Sequence, residues 1–381
     1  MSDVFVMGAD MIKFGRYPDW TPAQLAAQAA LLALDDAGLT VHDLDAVYAS
    51  STYNAASMLG QQVLKQIGQT GIPCVNVSNA CASGASAFRE AWIAIKAGIY
   101  DVVLAVGAEK NPKGLLGGPP GEGPVPEGLF GSGTTPALFA EAGMVHAAAY
   151  GTTIEQFAQV AVKNHHHATM NPKAMYQKET PLEEVLASEM IAYPLTKLMC
   201  SANVDGAAAA ILVSERKARE LGLGRAIKVR ASAMASDPYA PHNPALLDAD
   251  SVTRLAVGKA YEMAGLGPDD LDLIELHDCF ATAEILHYEN LGLCGDGEAG
   301  ALIDSGATAL GGRIPCNVSG GLLSKGHPIG ATGIANIVEL VMHLRGEAGA
   351  RQVEGARIGL AHVLGFSTIV GVCGVHILEK A

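Results

Sequence analysis

The sequence predicts an α/β protein built twice on one strand-and-helix plan, with a loop-rich insertion between the copies. Three observations predict it. The first is an internal repeat. Ala37-Gly38-Leu39 and Asp43-Leu44-Asp45 recur as Ala264-Gly265-Leu266 and Asp270-Leu271-Asp272, both 227 residues later (264 − 37 and 270 − 43). The second is composition. Gly accounts for 44 of 381 residues, about 12% against a usual ~7%, and follows no short period. Collagen and low-complexity disorder are thereby excluded. With 49% hydrophobic residues over this length, one large or two ordinary domains can bury a substantial core. The third is the alternation of strand and helix patterns in each copy, which predicts a mixed, mostly parallel sheet with helices on its faces.

Taken in order, Leu25, Ala29 and Leu32 mark a helix that stops at Ala37-Gly38. Val47-Tyr48-Ala49 is a strand, a second runs from Val75, and a helix follows over Ala85–Ala97. Val103-Leu104-Ala105 begins the next strand. Pro112 to Pro136, with Gly117-Gly118-Pro119-Pro120-Gly121, reads as irregular, and a helical part from Ala137 to Leu198 includes Thr153–Asn164. This loop domain, about 112–198, is expected to lie over the sheet edge, a usual place for substrate recognition. The first copy resumes at Ser201, with a buried strand over Ala207–Val213 and a short helix over Glu215–Leu221. In the second copy Leu255, Ala260 and Met263 mark the helix and Leu273–Leu276 the strand. Asn317-Val318-Ser319 echoes Asn76-Val77-Ser78, Gly330-Ala331 echoes Gly84-Ala85, and Gly359-Leu360-Ala361 echoes Val103-Leu104-Ala105. Val370–Leu378 reads as a buried last strand. The halves are expected at 1–230 and 231–381. Packed about a pseudo-two-fold axis, they would bring the segments around Cys81 and His327 together.

The formal charge of −14 without a basic stripe argues against nucleic acid and anionic membrane surfaces as partners. Cys74, Cys81, Cys200, Cys279, Cys294, Cys316 and Cys373 form no Cys-x-x-Cys pair. They read as reduced thiols of a cytosolic protein. Met1–Asp10 has no basic start followed by an apolar stretch. The longest apolar run, Ala207–Val213, falls far short of the ~18 residues of a membrane span. Glu379-Lys380-Ala381 is not a peroxisomal address. A cytoplasmic location is expected.

Cys81 stands where an apolar strand passes through small residues into a helix. Helix N-terminal N–H groups favour a thiolate there. His327 lies in Gly320-Gly321-Leu322-Leu323-Ser324-Lys325-Gly326-His327-Pro328-Ile329-Gly330-Ala331-Thr332-Gly333. Such a glycine-rich loop can admit a bulky ligand close to the backbone. Imidazole suits proton exchange at neutral pH. His277-Asp278-Cys279-Phe280 ends a strand of the second copy and adds an imidazole and a thiol. Consecutive residues of extended chain alternate faces, so His277, Asp278 and Cys279 are not expected to share a metal, and no metal site is expected. His165-His166-His167 reads as an exposed or partly packed helix end.

Cys81, the His-Asp-Cys-Phe string and the Gly-His-Pro-Ile-Gly-Ala-Thr-Gly string, in that order, resemble the thiolase family, closest to its sterol-carrier-protein type. Lys163-Asn164-His165 with Asn171-Pro172, and Pro194-Leu195-Thr196-Lys197-Leu198 leading to Asp205-Gly206-Ala207-Ala208-Ala209, extend the likeness over nearly the whole chain. The resemblance implies a duplicated αβαβα five-layer fold with an inserted loop domain. It implies an acyltransferase for reversible Claisen condensation and thiolysis of 3-ketoacyl-CoA, with coenzyme A thioesters as substrates and no permanently bound cofactor. Cys81 would carry the acyl group and His327 would activate it and help hold the enolate oxygen. His277 would stand where other members place an oxyanion-supporting Asn. Backbone N–H groups of Cys81 and Gly365 would hold the acyl oxygen, and Ser324, with Gly321 and Lys325 of the same loop, would contact coenzyme A. Val363 occupies the place of a second catalytic Cys, so Cys279 would inherit that role, with Cys373 the lesser candidate. Phe366 replaces a glycine and is expected to narrow the site or reshape its loop. A homodimer or homotetramer is implied. The alternatives are a thiolase-like carbon–carbon bond-forming or retro-aldol subunit working with a small partner protein, and a non-catalytic lipid-binding or scaffold subunit.

Overall fold

A computed structural model describes residues 3–114, 134–239, 247–367 and 370–381. The repeat read in the sequence is a repeat of helix caps. Helix α1 (Pro22–Ala37) starts at Thr21, whose hydroxyl accepts from the Gln24 N–H while the Gln24 side chain accepts from the Thr21 N–H. It ends at Gly38 in the left-handed conformation, φ 67°. Its counterpart, Ala249–Ala264, is also 16 residues long and ends at Gly265, φ 66°. A single 3-10 turn follows each, where Asp43 accepts from the Thr40 N–H and Asp270 from the Gly267 N–H, both at 2.8 Å. Asp45 then accepts the N–H groups of Asp101 and Val102, as Asp272 accepts those of Arg357 and Ile358.

The strands are β1 (Val4–Met11), β2 (Ala46–Ser50), β3 (Cys74–Val77), β4 (Val102–Lys110), β5 (Met190–Ala192), β6 (Leu195–Thr196), β7 (Asp205–Ser214), β8 (Ile227–Ser236), β9 (Leu273–Glu275), β10 (Ile358–Ser367) and β11 (Val370–Lys380). Nine of them run in the order β3-β2-β4-β7-β1-β8-β11-β10-β9. The first half contributes β3-β2-β4-β7-β1 and the second its mirror order, with Cys316 bridging to Ile274 where β3 would have its equivalent. That bridge, set beside the Val47–Cys74 pair, matches Cys316 to Cys74, one residue off the Asn-Val-Ser echo. Only Phe5–Lys228 and Val6–Ile227 join the halves through β1 and β8. The sheet is mixed. Its parallel pairs, β2 with β3 and β4 and β9 with β10, lie toward the ends, and the inner pairs are antiparallel. Position 230 falls inside β8.

The remaining helices are α2 (Leu59–Ile67), α3 (Ser83–Lys96), α4 (Thr135–Tyr150), α5 (Ile154–Thr169), α6 (Leu182–Ala187), α7 (Glu215–Leu221), α8 (Ala249–Ala264), α9 (Ala281–Asn290), α10 (Ala299–Asp304) and α11 (Thr332–Arg345). α1 and α2 share one core with the first-half strands, through Leu25, Leu34, Val63 and Val106. α3 and α11 share a second with strands of both halves, through Phe88, Ile95, Ile334 and Leu340. α8 covers the second half through Val252, Ala256 and Val375. The result is the expected five layers, helix, sheet, helix, sheet, helix. The helix echo shifts by three residues. α3 and α11 are both 14 residues long, so Gly84 corresponds to Gly333 and not to Gly330.

The inserted region docks onto the second half, where Phe139 of α4, Phe157 of α5, Leu195 and Met199 join the core of Phe280, Tyr288 and Leu322. Gly117–Gly121 and most of the Pro112–Pro136 stretch lie outside the described residues. Among the described residues no helix is long and apolar enough to cross a membrane.

Candidate active site

β3 leads to Cys81 through Ala80, whose φ of 46° is uncommon for a residue with a side chain. The Ala80 carbonyl is held there by the hydroxyls of Ser83 at 2.6 Å and Thr52 at 3.0 Å. His327 is fixed from both sides, its N–H donating to the Ala202 carbonyl and its own carbonyl accepting from Asn111 at 2.7 Å. The two halves thus set Cys81 Sγ 3.3 Å from His327 Nε2. His327 Nδ1 lies 2.7 Å from the Thr332 hydroxyl, which in turn donates to the Pro328 carbonyl at 3.1 Å. That hydroxyl therefore accepts from Nδ1–H, and the Nε2 lone pair faces the thiol.

Burial pushes His327 down to about 3. Burial pushes the Cys81 thiol up to about 12, with Glu109 adding to the effect and the backbone N–H opposing it. The resting pair is neutral. Burial thus opposes the thiolate that a helix N-terminus was expected to favour, and it outweighs the backbone N–H that would stabilise it.

His277 packs edge-on against His327, ring centroids 5.1 Å apart. Its donor atom and those of Cys81 and His327 all lie within 4.8 Å of one another. Its backbone N–H donates to His362 Nδ1 at 3.3 Å. Burial holds its ring well below the ordinary imidazole range, with His327, His362 and His287 adding to the effect. Asp278 turns away and accepts from the Leu322 and Leu323 N–H groups and from Asn164. Cys279 is buried, and burial pushes its thiol well up, with Cys81 the next cause. Cys373 is buried against Thr253 of α8.

Several expectations for the glycine-rich string need correction. Its glycines face protein and not an open ligand space. A Cβ at Gly330 would lie 2.8 Å from the Ala108 carbonyl oxygen, one at Gly333 would lie 2.3 Å from the Ala85 nitrogen, and one at Gly321 would lie 2.0 Å from Asp278 Oδ2. Lys325 is buried with its ammonium 3.4 Å from the Glu275 carboxylate, so a contact with coenzyme A does not fit its position. Ser324 is buried as well, with its hydroxyl 3.1 Å from His165 Nδ1. The loop is held by internal polar partners because its backbone is enclosed and must be satisfied.

Strand alternation sorts β10. Val363 packs with Cys81, Ala82 and Ala85, whereas Leu364 and Phe366 join the opposite core. Phe366 meets Phe139 edge-on at 6.0 Å, on the side of β10 opposite Val363. A Cβ at Gly365 would lie 3.1 Å from the Cys81 nitrogen. Of the histidine triplet only His166 is exposed. His167 is buried, bonding the Asn317 carbonyl and the Leu310 N–H, because α5 docks on this loop.

Two positioning residues escaped sequence reasoning. Thr332 lies in the glycine-rich string, but nothing in its spacing pairs it with His327. Glu109 accepts from Ser51, the Thr52 N–H, Asn54 and, across the halves, the Gly330 N–H. A carboxylate ending the apolar run Val102–Ala108 was the available signal.

Two copies of one α/β unit thus bring a thiol and an imidazole face to face, the arrangement of a thiolase-like protein. The family description "Thiolase, N-terminal domain" matches residues 4–113 and "Thiolase C-terminal domain-like" matches residues 241–380. The chain belongs to the thiolase family. It is 40% identical over 397 residues to "Sterol carrier protein 2" of Homo sapiens, covering 97% of this chain and 71% of that protein. It is 40% identical over 391 residues to "Acetyl-CoA acetyltransferase" of Methanothermobacter thermautotrophicus, covering 100% of both. The solved "Ltp2-ChsH2(DUF35) aldolase" matches with a TM-score of 0.84 and 26% identity, over 99% of this chain and 98% of that one.

Proposed function

We propose that the protein is an acyl-CoA C-acyltransferase running reversible condensation and thiolysis of 3-ketoacyl-CoA through an acyl-Cys81 intermediate. The observation that carries this reading is the 3.3 Å approach of Cys81 Sγ to an Nε2 lone pair that Thr332 has fixed. Cys81 gives its proton to His327 Nε2 as sulfur attacks the thioester carbonyl. The C–S bond to coenzyme A then breaks, and His327 Nε2–H gives that proton to the departing coenzyme A thiolate. The Cys81 N–H and the abutting Gly365 backbone are the proposed oxyanion donors. For the second half-reaction, Cys279 is the proposed acid and base, and His277 stands beside the enolate position. A dimer through edge strand β3, where Val75 is 46% exposed, fits the expected oligomer.

The runner-up is a carbon–carbon bond-forming or retro-aldol subunit with a small partner protein, favoured by the likeness to the two-component aldolase. Retention of both Cys81 and His327 supports acyl transfer instead. Intact-mass measurement after incubation with acyl-CoA thioesters of several lengths tests the choice. The expected result is one acyl adduct, mapped to Cys81, absent from Cys81→Ala and slowed about 10²–10³-fold in His327→Ala. No adduct at any length, or one that persists in Cys81→Ala, overturns the reading.

A further inference from the structure

We propose that Cys81, His277 and His327 form a zinc site that caps the nucleophile when filled. The three arrive from separate elements, the turn before α3, the end of β9 and the loop before α11, so no sequence spacing announces them. Zinc bonds of about 2.0–2.1 Å to nitrogen and about 2.3 Å to sulfur put tetrahedral donors roughly 3.3–3.7 Å apart. Cys81 Sγ and His327 Nε2 already stand at 3.3 Å, and the whole set lies within 4.8 Å. A movement of His277 by about 1 Å completes the site.

The donors are also prepared. Thr332 accepts from His327 Nδ1–H at 2.7 Å, the outer-shell bond that orients a metal-binding imidazole and keeps the Nε2 lone pair, which faces Cys81 Sγ, as its ligating atom. His277 is 1% exposed, and its Nδ1 has no hydrogen-bond partner among the described residues. One thiolate and two imidazoles suit zinc, and not the oxygen-seeking magnesium or calcium. Three protein ligands leave a fourth position for water. On binding, the Cys81 S–H bond breaks, its proton leaves to solvent and the sulfur lone pair forms the S–Zn bond. Metal binding does not depend on the acyltransferase reading, whereas inhibition does.

Cobalt(II), added alone to the full chain, tests the site because a thiolate–cobalt bond gives a near-ultraviolet charge-transfer band and tetrahedral cobalt absorbs in the visible. The expected result is saturation at one equivalent and displacement by zinc. The band is lost in Cys81→Ala and in wild-type protein alkylated at Cys81, the latter guarding against a variant that fails to fold. Thr332→Val should bind about 10–100-fold more weakly, and His277→Asn more weakly still. No charge-transfer band, a band that survives loss of the Cys81 thiol, or His277→Asn binding cobalt like wild type overturns the proposal. Zinc should also block acylation of Cys81 until a chelator is added. A cobalt band in protein that never forms an acyl adduct would count against the acyltransferase reading and leave the metal site standing.

Discussion

In the proposed reaction Cys81 and His327 act through their geometry and not through a lowered thiol pKa. Burial pushes Cys81 up to about 12 and Cys74 up to about 11, so neither is a thiolate near neutrality. Among the described residues no base is hydrogen-bonded to the Cys74 thiol, and its alkylation should rise about tenfold per pH unit as the thiolate fraction grows. Cys81 instead has the Nε2 lone pair of His327 3.3 Å from its sulfur, placed to take the proton as the sulfur attacks. Its alkylation by iodoacetamide should therefore rise much less steeply between pH 6 and pH 9. His327→Ala should restore the steep slope. Peptide mass spectrometry of both cysteines across that range checks this, and equal slopes in the wild-type protein would show that His327 does not act as the base.

Two helices carry that geometry. α3 begins just after Cys81 and α11 five residues after His327, and they cross where Gly84 meets Gly333. A Cβ at Gly333 would sit 2.3 Å from the Ala85 backbone nitrogen, which cannot yield as a side chain could. Gly333→Ala should cost about 1–3 kcal/mol and, by spreading the helices, slow acylation of Cys81. Gly258, within α8, has nothing within 4 Å of its would-be Cβ. Gly258→Ala should stabilise by about 0.4–1 kcal/mol. Urea midpoints of the two variants should move in opposite directions. A Gly333→Ala midpoint equal to wild type would mean that the helix crossing tolerates a methyl group.

At the scale of the whole molecule, the buried histidines set the acid limit of stability. His167, His287, His327 and His376 are pushed down to about 3 and His343 to about 4, all chiefly by burial. In the unfolded chain each takes up a proton near 6.5. Between those values the unfolded state binds more protons, so the stability is whole above about 6.5 and is lost as the pH falls toward 3. One pH unit below 6.5, each such group removes about 1.4 kcal/mol. Glu109, Asp250, Glu275 and Asp278, pushed up by burial, act in the opposite direction. With His277 and His362 also held well below the ordinary range, seven imidazoles are strongly lowered, and the urea midpoint should hold between pH 8 and pH 7 and fall steeply by pH 5.5. A midpoint at pH 5.5 equal to that at pH 7.5 would show that these rings find compensation on protonation.

The sequence by itself determined the two copies, their caps and the pair at the centre. Ala37-Gly38 and Ala264-Gly265 stop their helices because a glycine at the C-cap is a local requirement, and local requirements are written in neighbouring letters. The strands over Ala207–Val213 and Val370–Leu378 and the helix over Glu215–Leu221 were legible for the same reason, as continuous apolar runs and a capped amphipathic turn. Only the tertiary structure decided what the polar residues do. Lys325 and Ser324 read as ligand contacts, but enclosure on every side turned them to Glu275 and His165. Phe366 read as an obstruction, and strand alternation turned it from Cys81 toward Phe139. Thr332, Glu109 and the meeting of His277 with Cys81 and His327 depend on approaches between segments far apart in the chain. Desolvation and donor geometry arise only when those segments pack, so no spacing along the sequence could carry them.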